Sequence, residues 1–471
     1  MKFSLRTIGR AALLTFAVVY GTVLLPGTAV AQEIEDLRLA VYSNGLGLVS
    51  EVRSLNLVRG ANTVVISGVP TKIDPTSVRM TPIEASDTIQ ILTQRYIYNP
   101  LTRDSLLDRF VGQEVELGVE GSGTLLSGVL LNSIGDIALR SDGGRVDLIP
   151  RQAVERVSVS DMPEDLLTEP SLVWLVESPT DQRDHRLGIS YLTEGLNWHV
   201  EYSAVVKADD ESMKLTSWAS IENRSGASYE NAELTLVAGE VNRVQGNRKA
   251  VLRERFDGVA TMSARVMPQF EEQKAFEYHS YRLSGRTALE NNGVVQLTML
   301  GETDVSVGKH YVFDGAMHPS GVQTRFRLEN SKQTGLGLPM PRGTVRMYQT
   351  AEDGTQLYIG EDRIIDLAKD ETAYLTVGQA FDLQGARVQV SSRQPSKGVV
   401  EERYEITLRN HSEKAVAMKV IEHMRQGPNW KVRDANHDFT QTDSRTIEFD
   451  IQVDRDGATI VEYSVEYRRS I

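Results

Sequence analysis

The chain has 471 residues, no cysteine and a formal net charge of −13 at pH 7. The lack of cysteine excludes disulfides and cysteine-based catalysis, so the fold must gain its stability from buried apolar area in several domains. The acidic balance argues against nucleic acid and anionic lipid as partners.

The chain begins with the features of a secretory signal peptide, which we place at residues 1–31. A basic start (MKFSLRTIGR) precedes an apolar run, Ala11–Leu24, that is shorter than a transmembrane helix needs. Small residues at Ala29 and Ala31 then fit a peptidase site. We therefore predict cleavage after Ala31, export to the periplasm or the medium, and no transmembrane anchor in the processed protein.

Short alternating runs separated by turn dipeptides predict an all-β protein after the signal peptide. In residues 32–100, LRLAVYSNGLGLVSEVRSLNLV predicts a hairpin and NTVVISGVP a further strand of an N-terminal β domain. In residues 101–162, a short helix (DSLLDRF) precedes a series of short strands, a pattern typical of a small SH3-like or Sm-like β-barrel. Since acidic residues outnumber basic ones there, we do not expect this barrel to bind RNA.

A sequence echo divides most of the remaining chain into three similar modules. Asn223, Asn330 and Asn410 each stand between a strand-like run and a polar turn that leads to a second such run. An asparagine at such a corner can bond its own turn backbone and can adopt a left-handed conformation. We therefore predict tandem immunoglobulin-like β-sandwich modules. Their predicted bounds are 163–243, 291–393 and 394–471.

A long connection is predicted between the first two modules, at residues 244–290. It contains the basic residues Arg248, Lys249, Arg253 and Arg255 and shows no clear period. These side chains could dock an acidic partner, or the segment could be a solvated linker.

The segment HRLGISYLTEGLNWHVEYSAVV concentrates chemically capable side chains. Strand alternation turns Trp198 and Tyr202 towards the core and leaves His199 and Glu201 on the opposite face. His199 and Glu201 could in principle share a metal, but the sequence shows no third ligand. We therefore predict a sandwich core with a solvated face rather than an active site. In the run SLVWLVES, both alternating sets of positions contain apolar residues, which predicts a central strand covered on both sides.

Trp218 falls on the face of its strand opposite to the apolar residues, beside Thr216 and Ser220. An outward tryptophan flanked by hydroxyl groups is typical of a surface that docks another module or partner. It is also typical of a platform for a sugar ring, because the indole offers a flat apolar face.

No catalytic motif is present among those we sought: the serine-hydrolase elbow, the HExxH zinc motif, the P-loop and the dinucleotide glycine fingerprint. We therefore predict no catalytic residue, no metal and no cofactor. A triad assembled from distant residues stays open.

Several motifs together resemble a known family. They are VYSNGLGLVSE, GVPTKIDPTSV, LVWLVES, YLTEGLNWHVEYS, NRSGASYENAELTLVAGEVNRV, GLGLPMPRGTVRMYQ and IGEDRI. They are similar to exported bacterial proteins with the domain of unknown function 4139, which are related to mucoidy-inhibitor-A-like proteins. The resemblance runs from about Leu37 to Tyr467. It implies an all-β fold and a signal peptide, and it supplies no catalytic residue.

The predicted function is that of an exported, non-enzymatic cell-envelope protein that acts as a scaffold or binding protein. The expected partner is an envelope protein or a glycan, and not a nucleic acid. Two alternatives remain: a glycan-binding or glycan-active envelope protein, and an outer-membrane β-barrel.

Overall fold

The computed structural model describes most of the chain, in two compact units. The described residues are 27–30, 33–83, 89–121, 123, 125–160, 168–179, 185–239, 241–242, 270–275, 278–351, 353–425 and 429–468. The first unit lies within Met1–Ile34, Arg53–Val69 and Met80–Gly188. The second unit lies within Glu35–Val52, Pro70–Arg79 and Ile189–Ile471.

Two predictions concern residues outside this description. All of the predicted signal peptide except residues 27–30 lies outside the described residues. The same holds for the four basic residues of the predicted connection: Arg248, Lys249, Arg253 and Arg255.

The described residues are nearly all β, which confirms the all-β prediction. One α-helix is present among them, α1 (Arg103–Arg109), together with short 3-10 turns at Pro75–Ser77, Arg151–Ala153 and Lys332–Thr334. The strands are β1 (Gly27–Val30), β2 (Ile34–Tyr42), β3 (Leu46–Leu55), β4 (Gly60–Ser67), β5 (Arg79–Pro82), β6 (Gln90–Ile97), β7 (Glu114–Val119), β8 (Leu125–Asn132), β9 (Ile137–Arg140), β10 (Val146–Ile149), β11 (Val154–Ser158), β12 (Ser171–Ser178), β13 (His185–Glu194), β14 (Leu196–Val206), β15 (Ser212–Asn223), β16 (Tyr229–Ala238), β17 (Phe270–Ala275), β18 (Tyr278–Leu289), β19 (Gly293–Phe313), β20 (Gly321–Glu329), β21 (Gly343–Thr350), β22 (Gln356–Ile364), β23 (Thr372–Ser396), β24 (Val399–Asn410), β25 (Val416–His423), β26 (Asn429–Ala435), β27 (Thr440–Gln441), β28 (Thr446–Val453) and β29 (Gly457–Arg468).

The first unit contains a four-stranded sheet in the order β1, β4, β12, β6. Its strand β12 is the run SLVWLVES, and Leu172, Val173, Trp174 and Val176 are all buried. Neighbouring residues of a strand point to opposite faces, so β12 is covered on both sides. The prediction of a central strand is therefore confirmed.

The first unit also contains a five-stranded sheet in the order β10, β9, β8, β7, β11. Helix α1 starts at a capping box between Thr102 and Ser105 and buries Leu107 in the core of this sheet. The outermost strands β10 and β11 are not paired with each other among the described residues, so the sheet stays open. No helix in the described part of the chain is long and apolar enough to cross a membrane.

One sheet, most of whose strands belong to the second unit, runs in the order β17, β18, β16, β2, β3, β13, β5. Strand β2 pairs in parallel with β16, with Leu39 opposite Leu234 and Val41 opposite Leu236. Strands from two of the predicted domains, 32–100 and 163–243, thus share one sheet. Local alternation identifies strands, but the burial of distant apolar faces decides which strands pair.

A second, longer sheet of this unit runs in the order β22, β21, β14, β15, β19, β20, β23, β24, β29, β26. At its C-terminal end, β25 pairs with β28 and their buried side chains pack against those of β24 and β29. The result is a two-layered β core centred on Phe449, Ile406 and Val461.

The three echoed asparagines occupy equivalent corners, as their hydrogen bonds show. The Asn410 amide nitrogen donates to the carbonyl oxygens of Lys414 (2.8 Å), Asp454 (3.0 Å) and Val453 (3.3 Å), and its oxygen accepts from Ser412 N–H (2.9 Å). Asn223 and Asn330 make the same kind of bonds and are equally buried. The predicted bonding of the turn backbone is confirmed.

None of the three asparagines has a positive φ, so none of them uses the left-handed conformation that asparagine tolerates. Asn223 and Asn410 are the last residues of β15 and β24 and keep the extended backbone of the strand. The side-chain amide of each therefore reaches the turn from an extended backbone.

Candidate binding surface

Strand pairing brings the described candidate residues together on one side of the longer sheet. In the antiparallel pair β14–β15, His199 lies opposite Ser220 and Glu201 lies opposite Trp218. The parallel neighbour β21 places Thr344 beside Glu201. We call this surface the polar face. Its residues are His199, Glu201, Ser203, Thr216, Trp218, Ser220, Thr344, Arg346, Tyr348 and Tyr358.

The opposite side of β14 is core, as the alternation predicts. Trp198 and Tyr202 are 1% and 3% exposed. The indole N–H of Trp198 donates to the Val237 carbonyl oxygen (3.1 Å), and the Tyr202 hydroxyl donates to the Pro341 carbonyl oxygen (2.8 Å). Burial raises the pKa of Tyr202 well above its ordinary value. The aromatic residues of this segment are therefore structural.

Glu201 is the electrostatic centre of the polar face. Its carboxylate lies 3.0 Å from His199 Nε2 and accepts a hydrogen bond from the Arg346 guanidinium. Burial by itself would raise the pKa of Glu201, but the hydrogen bond with His199 and the charge of Arg346 outweigh it and lower the pKa. Arg346 Nε also lies 3.4 Å from Glu361 of β22. The charges of this face are therefore largely paired with one another.

Trp218 is partly exposed at the middle of β15, between its cross-strand neighbours Glu201 and Thr298. Thr216 is also partly exposed, on the same side of the strand. Ser220 is only 5% exposed, so of the two predicted hydroxyl neighbours only Thr216 is available to a ligand. Ser220 was expected at the surface. It is a central-strand residue with paired strands on both sides, and a serine side chain is too short to rise above them.

One small depression lies beside His199, at the end of the polar face. The depression lined by Trp198, His199, Arg342 and Asp366 has no room for a water molecule. Among the residues the structure describes, no three His, Cys, Asp or Glu side chains are placed to hold a metal ion. The polar groups of the polar face can hydrogen-bond an opposing surface, and the exposed part of Trp218 can pack against a flat apolar group.

Sequence reasoning missed the contribution of β21 and β22 to this surface. Arg346 pairs with Glu201 across 145 positions of the chain. Tyr348 and Tyr358 form an edge-to-face pair (centroids 5.7 Å apart) further along the same strands, and Tyr358 is 56% exposed. Alternation in GTVRMYQ could have placed Arg346 and Tyr348 on one face, but nothing local shows which sheet that face joins.

A second charged cluster, also missed, lies inside the C-terminal core. The Arg387 guanidinium donates to both oxygens of Glu422 (2.9 Å each) and lies 4.0 Å from the ring centre of Tyr404. The Tyr463 hydroxyl donates to Glu422, and the Tyr404 hydroxyl donates to Glu402 (2.8 Å). The carboxyl groups of Glu402 and Glu422 have no exposed surface, so this cluster is closed to ligands in this conformation.

A known protein family matches the part of the chain that contains the polar face. A family model described as "Domain of unknown function (DUF4139)" matches residues 187–466, which is more than half of the chain. All residues of the polar face lie within that match. No curated protein matches the chain.

Proposed function

We propose, from the premise that this chain belongs to the DUF4139 family, that it is an exported, non-enzymatic protein of the cell envelope that binds a partner through the polar face. The observation that carries this proposal is the cross-strand pair of Trp218 and Glu201. It combines a partly exposed indole with a carboxylate that is already held by His199 and Arg346.

Such a surface suits binding for a physical reason. Aromatic and arginine side chains contribute most to the energy of protein interfaces. Because Glu201 and Arg346 are already paired, an approaching partner would not bury an isolated charge. A protein of the envelope is the first candidate partner.

A glycan is the second candidate, favoured by a specific observation. Trp218, Tyr348 and Tyr358 share the outward side of adjacent strands with Thr216 and paired charges. Flat aromatic rings among hydrogen-bonding groups match a sugar, which has both an apolar face and hydroxyl groups. Purified envelope polysaccharide retained by the wild type but not by Trp218→Ala would favour this candidate.

The finer architecture is also a proposal. A short helix followed by five strands in the order β11, β7, β8, β9, β10 supports a small SH3-like or Sm-like unit. The repeated asparagine corners support immunoglobulin-like modules in the second unit. The immunoglobulin-like assignment would place the polar face on a rigid sheet of the second unit.

The binding proposal predicts a large effect of Trp218→Ala on affinity. Loss of a central tryptophan typically costs about 2 kcal/mol or more of binding free energy, or about a thirtyfold loss of affinity. A photoreactive residue at His199, incorporated in cells, should first capture the partner, whose affinity for purified wild type and variant is then measured.

Phe381→Ala is the matched control, because Phe381 is 95% exposed and is not part of the polar face. It should bind the captured partner like the wild type. Equal binding by Trp218→Ala, with an unchanged unfolding midpoint, would contradict a role for the polar face.

Export makes a separate prediction. In a bacterial host, osmotic shock should release the protein, and its N-terminal sequence should begin at Gln32. A chain that stays in the cytoplasm with Met1 retained would contradict export, whatever the polar face binds.

A further inference from the structure

Among the described strands, only the short β1 covers one side of β4. In the four-stranded sheet, β4 pairs with β12 on one side and with β1 on the other. The β1 pairing is parallel and short, with Gly27 opposite Asn62 and Val30 opposite Val65. Residues 27–30 precede the predicted cleavage site at Ala31, so the processed protein would keep β12 beside β4 and lose β1.

The β4 edge exposed by the loss of β1 would lack the usual protection against the addition of a further strand. Natural edge strands carry charged residues, prolines or bulges that prevent a further strand from adding. β4 reads GANTVVIS, with no charge and no proline, and it pairs with β12 without a register shift. The opposite edge strand β6 contains Arg95, and its pairing with β12 has a register shift.

The β4 strand is also fixed in the extended conformation that a partner strand needs for pairing. Val64 and Ile66 are fully buried, which fixes one face of β4, and Thr63 and Val65 are partly exposed on the other. The Asn62 amide nitrogen donates to the carbonyl oxygens of Val58 (2.7 Å) and Gly60 (2.8 Å), which anchors the beginning of the strand. A partner would therefore find backbone N–H and C=O groups in extended conformation at no further ordering cost.

We propose that the processed protein binds, at the β4 edge, an extended and uncharged segment of a partner protein that adds as a parallel strand. The occupant is inferred from the segment Gly-Thr-Ala-Val, which the structure places there as a strand. The inference rests on the export part of the proposed function and is independent of the polar face.

The test uses the leader segment itself as the probe. The chain is produced with Gln32 as its first residue, and an acetylated peptide of residues 25–31 (Leu-Pro-Gly-Thr-Ala-Val-Ala) is added in excess. Hydrogen exchange at residues 62–65 should slow by about tenfold or more for the amides that face the open edge. Peptides with Thr28→Pro or Ala29→Pro are the controls. Adjacent amides of a strand point to opposite sides, so at least one of these peptides loses a bond to β4 and should protect less.

The full-length chain, whose β1 already occupies the edge, should show slow exchange there without added peptide. Two results would overturn the proposal. One is that the peptide leaves exchange at 62–65 unchanged. The other is that the chain from Gln32 is already protected by a second copy, seen as a dimer in solution. Because that chain is made without the leader, neither result depends on whether cells cleave it.

Discussion

Replacing Arg387 by methionine should lower the free energy of unfolding by about 3–5 kcal/mol, because it leaves the buried Glu422 carboxyl without its cationic partner. Glu422 is 1% exposed. Burial raises its pKa, although the charge of Arg387 and the hydrogen bond from Tyr463 act in the opposite direction. The desolvation of this carboxyl is therefore tolerated only while Arg387 compensates it.

The double variant Arg387→Met with Glu422→Leu separates this explanation from a simple packing defect. If the cost comes from an uncompensated charge, removing both partners should restore much of the stability lost in either single variant. Urea unfolding followed by tryptophan fluorescence measures all three variants. Strictly additive losses would show that the two side chains do not act as a pair.

An exposed ion pair on two strands of the same C-terminal core provides the control. Arg403 and Glu462 lie 2.7 Å apart on the outer side of β24 and β29, with 52% and 38% of their side chains exposed. Arg403→Met should leave the unfolding midpoint unchanged within error, because solvent already screens this pair.

The second large effect is expected for Asn410→Asp, which keeps the shape of the side chain but removes its donors. Three carbonyl oxygens, of Lys414, Val453 and Asp454, would then face a carboxyl oxygen instead of an amide N–H. Each buried group left unsatisfied costs about 1–3 kcal/mol, so the expected loss at pH 7 is about 3–5 kcal/mol.

The loss should depend on pH with a definite sign. In the folded variant, burial and the three carbonyl oxygens would raise the pKa of the new carboxyl above its unfolded value of about 3.9. When the pH falls below the raised pKa, the carboxyl is protonated and regains an O–H donor. The loss of stability relative to wild type should therefore shrink as the pH falls from 7 towards 4. A deficit that is independent of pH would contradict the role of the amide donors.

Asn436→Asp is the matched substitution at an exposed position. The Asn436 amide nitrogen also donates to a carbonyl oxygen, that of Ile460 (2.9 Å), but the residue is exposed. Solvent can replace this bond, so we expect a change within about 0.5 kcal/mol. A loss as large as that of Asn410→Asp would show that the substitution is harmful regardless of burial.

The features that sequence could predict are those set by neighbours along the chain. The period of two assigned Trp198 and Tyr202 to the core and His199 and Glu201 to the opposite face. Part of each asparagine corner was predictable for the same reason, since Asn410 bonds Ser412 and Lys414 of its own turn. Its bonds to the distant Val453 and Asp454 were not. The hairpin of β14 and β15 then brings Trp218 beside Glu201, because their connection is short.

The remaining features depend on pairing between distant strands. Arg346 reaches Glu201 only because β21 adds in parallel to β14. The phase of β25 could have indicated an inward Glu422, since Met418 and Val420 precede it at alternate positions. Nothing local, however, shows that Arg387 and Tyr463 complete its bonds. Such partners are selected by the packing of two layers, which a single sequence does not display.

The most direct test of the central claim, that the polar face is the bound surface, is hydroxyl-radical footprinting. It compares the oxidation of the protein in intact cells with that of the purified protein. Trp218 and Tyr358 should be oxidised in the purified protein and protected in cells, while the buried Trp198 and Tyr202 stay unreactive in both. Equal oxidation of Trp218 and Tyr358 in cells and in the purified protein would contradict the claim.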